Sequence, residues 1–258
     1  MTSARPPRVL VTRPAAQAKT WVERLRERGI DAEALPLIEI AAPADSAPLR
    51  SAWAGLASAR LVVFVSANAV LHFFAARPAT LSWPEGVEAG APGNGTAEAL
   101  RAAGVADASI VTPPADAAQF DSESLWARLR GRDWRGARVL VVRGDGGRDW
   151  LAERLVGAGA QVDAVSAYRR LAPVFAGADR DRLDAAVVAA AGVVWLFSSS
   201  EAIANLERAV GAGVWGAARA VATHPRIAAR ARSVGFGVVA EAGPGLDAVI
   251  ACLQSIEP

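Results

Sequence analysis

VLVTRP, at residues 9–14, returns 130 residues later as VLVVRG, at residues 139–144. The similarity continues at the same offset without a gap, so that Arg13 falls on Arg143 and Gly29 on Gly159. An alphabet rich in Ala, Arg and Val produces two or three such matches by chance. A whole run of matches in one register instead indicates an internal duplication, which predicts two similar halves.

Each copy of the repeated stretch begins a strand–helix–strand pattern. In the first copy, residues 8–12 are an apolar run typical of a strand, and residues 15–28 carry apolar side chains at helical spacing before Gly29 ends the helix. Residues 30–40 then predict extended chain. The second copy repeats this plan with a strand over 139–142, a helix over 150–156 and extended chain over 162–171.

Strands and helices alternate through the rest of the chain as well. Asp121 and Ser122 predict the start of a helix over 124–129, with Glu123 in the first turn, where the helix dipole favours an acid. Strands alternating with helices of this length predict parallel sheets that are covered on both faces, and hence two α/β domains. The further predicted strands cover residues 61–65, 87–91, 105–111, 193–197, 220–222 and 238–241.

Composition restricts the class of protein. The 258 residues are 52% hydrophobic, which is enough for two cores, and the single cysteine, Cys252, excludes an intramolecular disulfide. The N-terminal MTSARPPRVL has no apolar signal-peptide region, and the longest apolar stretch, 185–197, is too short to span a bilayer. We therefore expect a cytoplasmic protein without a membrane segment.

Arginine accounts for every basic residue except Lys19 among the 28 Lys and Arg residues. Codon usage in a GC-rich genome is one explanation, and recognition of an anion is another. The net charge is only +2 and the arginines are spread along the chain, which argues against nucleic acid as a partner. A few arginines at one cleft would still suffice for a small polyanion.

The turns that follow the predicted strands are small, hydroxyl-bearing or rich in glycine, and they open helices. Such turns leave backbone N–H groups free and direct the positive end of a helix dipole at a ligand, which suits anions. Any single Ser or Asn in them is also explained as an ordinary helix cap. The turns are Thr12-Arg13-Pro14, Ser66-Ala67-Asn68, Gly93-Asn94-Gly95-Thr96, Arg143-Gly144-Asp145-Gly146-Gly147-Arg148, Ser198-Ser199-Ser200 and Thr223-His224-Pro225.

The sequence does not contain several common kinds of site. The Gly-rich turn at 143–148 has neither the P-loop ending nor the dinucleotide spacing, and two histidines with one cysteine have no zinc-site spacing. We therefore predict no metal and no cofactor. His72 lies in an apolar helix and is predicted to pack. Tyr168 is the only tyrosine; it is either a packing residue or a proton donor, since a phenol keeps its proton at neutral pH.

The ordered set of motifs resembles the uroporphyrinogen-III synthase family over nearly the whole chain. Two departures are visible: Val65-Ser66 replaces the Thr-Ser that is frequent in the family, and Gly93-Asn94-Gly95-Thr96 replaces Gly-Pro-x-Thr. Contacts through backbone N–H groups would tolerate both. The matching segments are residues 9–14, 35–40, 64–70, 95–100, 121–123, 142–148, 168–170, 197–200 and 224–227.

The resemblance implies two flavodoxin-like α/β domains joined by a two-stranded linker, with the first βα unit packed in the C-terminal half. Residues 1–37 and 173–258 would form one domain and residues 38–172 the other. The linkers would lie near residues 35–40 and 165–171, and the active-site cleft between the domains. The two copies of the repeated segment would then face the cleft from opposite domains.

The resemblance also implies a lyase that converts hydroxymethylbilane into uroporphyrinogen III, with loss of water and inversion of ring D. It implies a cofactor-independent monomer, with possible transient hand-over of substrate from the preceding pathway enzyme. Tyr168 would be the general acid, and Arg13 and Arg148 the first candidates for substrate carboxylates. The substrate-binding residues would be Arg13, Ser66, Asn68, Gly93, Thr96, Arg143, Gly144, Gly147, Arg148, Ser198, Ser199, Ser200 and His224.

Two alternatives follow from the residues alone. One is a non-catalytic two-lobed protein that closes on a small polyanion. The other is a nucleotide-dependent enzyme.

Overall fold

The computed structural model describes residues 7–114, 121–146, 149–211 and 213–256. The chain divides into two compact units, and we call Met1–Glu39 with Leu171–Pro258 unit 1 and Ile40–Arg170 unit 2. The first strand and helix of the chain therefore belong to the same unit as its C-terminal part.

Unit 1 is a five-stranded sheet with helices against it. Val9 and Val11 pack on one side of the sheet with Leu25, while every residue of the central strand Val193–Phe197 is buried. A strand that is buried on both faces is apolar throughout rather than alternating, which explains the VVWLF run. The strands are β1 (Arg8–Val11), β2 (Ala32–Ala34), β9 (Val193–Phe197), β10 (Arg219–Ala222) and β11 (Val238–Glu241); the helices are α1 (Ala15–Glu27), α7 (Gly177–Val188), α8 (Ser200–Val210), α9 (Pro225–Ser233) and α10 (Leu246–Ser255).

Unit 2 is built in the same way around a six-stranded sheet. One face packs Val62, Phe64 and Val142 against three helices, and the other packs Leu61 and Val63 against two more. The strands are β3 (Glu39–Ala41), β4 (Leu61–Phe64), β5 (Glu88–Gly90), β6 (Ile110–Val111), β7 (Arg138–Gly144) and β8 (Gln161–Leu171); the helices are α2 (Ala47–Gly55), α3 (Ala67–Ala75), α4 (Asn94–Ala102), α5 (Ser122–Leu129) and α6 (Trp150–Gly157).

The two sheets share one strand order once the duplication is taken into account. Unit 1 has the order β2-β1-β9-β10-β11, and unit 2 has β8-β7-β4-β5-β6 with β3 added beyond β8. At the offset of 130 residues, β1 corresponds to β7 and β2 to β8. The strand pairs within these two series are parallel. The predicted mixed α/β fold with two parallel sheets is thus confirmed.

The strand order of each sheet reverses at one place. In unit 1 the reversal lies between β1 and β9, and in unit 2 it lies between β7 and β4. Open parallel sheets bind ligands outside the carboxyl ends of their strands at such a switch point. Each unit therefore has one edge position at which a ligand is expected.

The structure corrects the predicted elements in three places. Two helices were not predicted from the sequence: α2, which contains Pro48 and Gly55, and α7, whose residues 179–184 are charged apart from Leu183. Neither segment presents a clear apolar stripe. The strand predicted over 105–111 is shortened to Ile110–Val111, because a 3₁₀ turn occupies the residues before it.

Within the described ranges, no helix is both long enough and apolar enough to cross a bilayer.

Candidate functional site

In unit 1, three predicted turns come together at the carboxyl edge of the sheet. They follow β1, β9 and β10, which are direct neighbours. Thr12 is buried, and its Oγ1 donates a 2.8 Å hydrogen bond to the carbonyl of Leu196, which holds the end of β1 against β9. The turn at Arg13 is therefore set beside the turn at Ser198–Ser200.

A cavity of about 410 Å³ opens between the turns after β9 and β10. The Ser199 hydroxyl accepts a hydrogen bond from the Glu201 N–H, and His224 Nδ1 accepts one from the Arg226 N–H at 3.1 Å. Two helix N-termini, those of α8 and α9, are thus capped at this cavity. Because Nδ1 of His224 accepts, a neutral imidazole presents its Nε2–H as a donor. The cavity is lined by Ser198, Ser199, Ser200, Thr223, His224, Arg226, Ile227 and Pro244.

Arg13 is partly buried, with its Nε fully shielded from solvent, and it has no acidic partner among the described residues. Its guanidinium carbon lies 4.1 Å from the ring centroid of Trp21, and its Nε makes no hydrogen bond. Burial lowers the pKa of Arg13 to about 10, so the group stays charged at neutral pH. A partly buried cation that rests on an aromatic ring, with no acidic partner among the described residues, is well suited to receive a carboxylate.

In unit 2, the turns after β4, β5 and β7 lie side by side at the corresponding edge. Ser66 caps α3, where its Oγ accepts from the Ala69 N–H at 3.2 Å, and Gly93 opens α4 without a side-chain cap. Asn68 lies half-buried in the first turn of α3, and Thr96 is buried in the first turn of α4. The N-termini of α3 and α4 therefore both reach this edge.

Tyr168 lies at the same edge, next to the switch point of unit 2. Only 3% of Tyr168 is exposed, and its hydroxyl is 3.1 Å from Ser66 Oγ. The carbonyl of Tyr168 accepts a hydrogen bond from the Asp145 N–H. Tyr168 is therefore held in two ways: its side-chain hydroxyl contacts Ser66, and its backbone carbonyl is bound by the turn after β7.

A β-bulge and a glycine together create the space for the Tyr168 ring. The register of β7 against β8 slips between Arg143, which pairs with Ser166, and Gly144, which pairs with Tyr168. Ala167 is the extra residue in β8, and a bulge of this kind re-aims the side chains that follow it. A Cβ on Gly144 would lie 2.8 Å from Cε2 and Cζ of Tyr168. Gly144 thus makes room for the ring.

His72 packs beside the Tyr168 ring. The two ring centroids are 5.8 Å apart and the planes are inclined by 27°. Burial lowers the pKa of His72 below its usual value of 6.5, so the imidazole is neutral at neutral pH. The predicted packing role of His72 agrees with this contact.

Two arginines near the edge of unit 2 differ from Arg13 in having partners. Arg143 forms an ion pair with Asp149, and Arg169 Nε donates a 3.2 Å hydrogen bond to the carbonyl of Ala42. Gly147 and Arg148, which the sequence analysis assigned to substrate, lie outside the described residues. Arg13 is therefore the best-supported cation for an anionic ligand.

Three features of the site could not be predicted from the sequence: the packing of Arg13 on Trp21, the Ser66–Tyr168 contact and the space that Gly144 leaves for the Tyr168 ring. Trp21 was recognised only as an apolar position of the first helix. The Ser66–Tyr168 contact joins residues 102 positions apart, so no local pattern signals it. Among the side chains that the structure describes, no three His, Cys, Asp or Glu residues cluster to hold a metal ion.

Substituting Gly144 with Ala is expected to lower the free energy of unfolding by about 1–3 kcal/mol, because the added methyl overlaps the Tyr168 ring. Denaturant unfolding of the purified chain measures the change. Gly157→Ala is the matched control, since an added Cβ there meets nothing within 4 Å. Equal stability of Gly144→Ala and Gly157→Ala would show that the Tyr168 ring does not require a glycine at position 144.

A family profile described as uroporphyrinogen-III synthase HemD matches residues 19–251. The uroporphyrinogen-III synthase of Salmonella typhimurium is 33% identical over 172 residues, which cover 66% of this chain and 68% of the relative. The enzyme of the same name from Escherichia coli is 31% identical over 177 residues, with 66% and 68% covered.

Solved structures share the fold at lower identity. A mutant uroporphyrinogen III synthase from Thermus thermophilus superimposes with a TM-score of 0.60 at 19% identity, covering 96% of this chain and 99% of that one. The enzyme from Helicobacter pylori gives 0.60 at 14% identity, covering 97% and 99%. At such identities the superposition supports the fold alone.

Proposed function

The chain belongs to the uroporphyrinogen-III synthase family, the cyclising lyases of haem biosynthesis, and we propose that the turns at the carboxyl edges of its two sheets bind and activate the substrate. The reaction is the dehydrative cyclisation of hydroxymethylbilane to uroporphyrinogen III, with inversion of ring D. Its product keeps every pyrrole and every carboxylate of the linear substrate. The chain's main task is therefore to hold a flexible anion in one shape.

The substrate carries eight carboxylates, which suits edges that present N–H groups and arginine. Each charge-assisted hydrogen bond contributes about 1.5–3 kcal/mol. Positioning of the reacting groups lowers a barrier by up to about 7–11 kcal/mol. The residues proposed to contact substrate in unit 1 are Arg13, Ser198, Ser199, Ser200 and His224; those in unit 2 are Ser66, Asn68, Gly93, Thr96, Arg143 and Gly144, together with Gly147 and Arg148.

One observation carries the assignment of the general acid. The hydroxyl of Tyr168, the only tyrosine in the chain, lies at the switch-point edge of unit 2 and within hydrogen-bond distance of Ser66 Oγ. A proton donor must hold its proton at neutral pH and lie where the ligand binds. The place of Tyr168 at the switch-point edge of unit 2 supports this role.

In the proposed mechanism, Tyr168 donates its proton to the hydroxyl of the hydroxymethyl group on ring A. The C–O bond breaks, water leaves, and an azafulvenium cation remains on ring A. Ring D attacks this cation through its substituted α-carbon to give a spiro intermediate. Cleavage of the bond between the spiro carbon and the ring C methylene releases a second azafulvenium. Attack by the other α-carbon of ring D closes the macrocycle, and loss of a proton restores the pyrrole and reprotonates Tyr168.

The remaining predictions are part of the same proposal. We propose a monomer in the cytoplasm that needs no cofactor and that receives its unstable substrate by transient hand-over from the preceding enzyme. The proposed two-stranded linker lies near residues 35–40 and 165–171, since the chain passes from one unit to the other within β3 and at the end of β8. The alternative of a non-catalytic binding protein has no support from the relatives, which are enzymes.

Isomer analysis tests the proposal directly. Hydroxymethylbilane is generated in situ, the purified chain is added, and the oxidised products are separated into uroporphyrins I and III. We expect mainly type III, formed faster than the spontaneous closure to type I. Type I alone, at the rate without protein, would contradict the proposed catalysis and favour a binding role.

A further inference from the structure

We propose that the Ser66 hydroxyl is a positioning group that stabilises the deprotonated form of Tyr168, and that it connects the N-terminus of α3 to the phenol. The proposal rests on the assignment of Tyr168 as the general acid and extends it to a second residue. It gives Ser66 a role that is separate from any contact of its turn with substrate.

The geometry allows the Ser66 hydroxyl to serve both of its neighbours at once. Its Oγ accepts from the Ala69 N–H at 3.2 Å and lies 3.1 Å from the Tyr168 hydroxyl. An N–H has only a hydrogen to offer, so Oγ must be the acceptor in the first contact. The Ser66 hydrogen is then free to point at the phenol oxygen.

Loss of the Tyr168 proton changes what the phenol oxygen requires. The neutral phenol can donate to Ser66 or accept from it, whereas a phenolate can only accept. The Ser66 O–H then donates to the phenolate, and a hydrogen bond to a charged acceptor is stronger than one between neutral groups. The N–H of Ala69 polarises the hydroxyl in the same direction, as does the positive end of the α3 dipole.

The surroundings of the ring prevent the phenol from turning away from Ser66. Gly144 lies against the ring, where even a methyl group would overlap it, and His72 is stacked beside it. The rest of the ring belongs to the buried core that contains Phe64 and Val142. When Tyr168 loses its proton, the phenolate oxygen therefore already faces the Ser66 hydroxyl.

Other titratable or charged groups lie on the elements that pack against Tyr168, but among the described residues the hydrogen-bond partner of its hydroxyl is Ser66. On α3 the group is His72, which is neutral at neutral pH because burial lowers its pKa. At the end of β7 they are Arg143, paired with Asp149, and Asp145, whose carboxylate accepts from the Arg170 N–H at 2.7 Å. On β8 they are Arg169 and Arg170.

The single tyrosine makes a site-specific test possible. Biosynthetic 3-fluorotyrosine replaces only Tyr168, and its ¹⁹F resonance reports ionisation of the phenol as the pH is raised. We expect Ser66→Ala and Ser66→Gly to raise the midpoint of this titration by about one pH unit, and Ser66→Thr to leave it within a few tenths. With unlabelled chain, kcat is expected to fall about tenfold in the Ala and Gly variants, a larger change than that in KM, and to be restored in Ser66→Thr.

The pair of Ala and Gly variants separates the phenol contact from the helix cap. Glycine at an N-cap costs only a few tenths of a kcal/mol relative to serine, whereas alanine costs about 1 kcal/mol. A midpoint shift of equal size in both variants therefore comes from the hydroxyl. Ser199→Ala removes the corresponding cap of α8 and is expected to leave the midpoint unchanged.

Two results would overturn the proposal: an unchanged midpoint in Ser66→Gly, or an equal shift in Ser199→Ala. The ¹⁹F titration does not depend on turnover, so failure of the general-acid assignment is seen separately. If Tyr168→Phe kept full activity while Ser66→Gly still shifted the midpoint, the positioning role would stand and the general-acid assignment would be wrong.

Discussion

Replacing Tyr168 with Phe is expected to lower kcat by about 10²-fold or more, while the product that still forms retains a measurable share of type III isomer. The substitution removes one oxygen and with it the proposed proton donor, and a general acid contributes about 10²–10⁴-fold. The turns that shape the substrate are unchanged, so the steering of ring D persists. The assay is initial rate and isomer ratio at saturating hydroxymethylbilane.

Stability and binding serve as controls for this variant. The phenylalanine ring fits the space that the tyrosine ring occupies beside Gly144. Loss of the contact with Ser66 is expected to cost only about 1 kcal/mol of unfolding free energy. KM is expected to stay within a few-fold of its original value. Full activity in Tyr168→Phe would remove this residue from the mechanism, and a loss that tracked unfolding would reduce it to a packing role.

Replacing Arg13 with Met is expected to raise KM by about 10- to 100-fold with a much smaller effect on kcat. The guanidinium lies on Trp21 and has a buried Nε with no hydrogen-bond partner among the described residues, so it is prepared for a carboxylate before substrate arrives. Loss of a charge-assisted hydrogen bond of about 1.5–3 kcal/mol corresponds to that change in affinity. Steady-state kinetics over a range of hydroxymethylbilane concentrations measures both constants.

The same variant is expected to be more stable, by on the order of 1–3 kcal/mol, because a partly buried cation with no acidic partner among the described residues is exchanged for an apolar chain. The sign follows from proton binding. Burial lowers the pKa of Arg13 to about 10, so the cost to the folded chain is fully present below pH 10 and disappears as the pH rises towards 12.5. The gain in Arg13→Met should therefore be constant from pH 6 to 9.

Arg180→Met is the matched control, because Arg180 is exposed in unit 1 and pairs with Asp184 one helical turn away. Exposed pairs of this kind contribute little, so neither KM nor stability should change by more than a few tenths of a kcal/mol. An Arg13→Met chain with unchanged KM would exclude this group from carboxylate binding. A less stable one would show that packing on Trp21 outweighs the cost of burying the charge.

Much of the fold could be predicted from local patterns. The strands over 193–197 and 238–241 and the Asp121 cap of α5 are confirmed, since each depends on residues that are neighbours in the chain. The duplication also predicted two sheets of the same kind, and the common strand order agrees with it. Helices α2 and α7 were missed, because α2 contains Pro48 and Gly55 and residues 179–184 of α7 are charged apart from Leu183, so that neither presents a clear apolar stripe.

The candidate site could be predicted only in part. Anion-binding turns follow from the types of residue placed at the ends of strands, and the choice of Tyr168 followed from the resemblance and from its being the only phenol. The different states of Arg13 and Arg143 could not be predicted, although the two occupy equivalent places in the repeat. Arg143 has Asp149 as a partner, whereas Arg13 packs on Trp21.

The sequence by itself determined the repeated α/β plan, the capped turns and the family, because each of these depends on order and spacing along the chain. The tertiary structure decided that Ser66 meets Tyr168, that Gly144 leaves room for the ring, and that Arg13 packs on Trp21. These contacts depend on which strands become neighbours and on a one-residue slip between β7 and β8. Such pairings arise from the packing of many side chains at once, so no short segment encodes them.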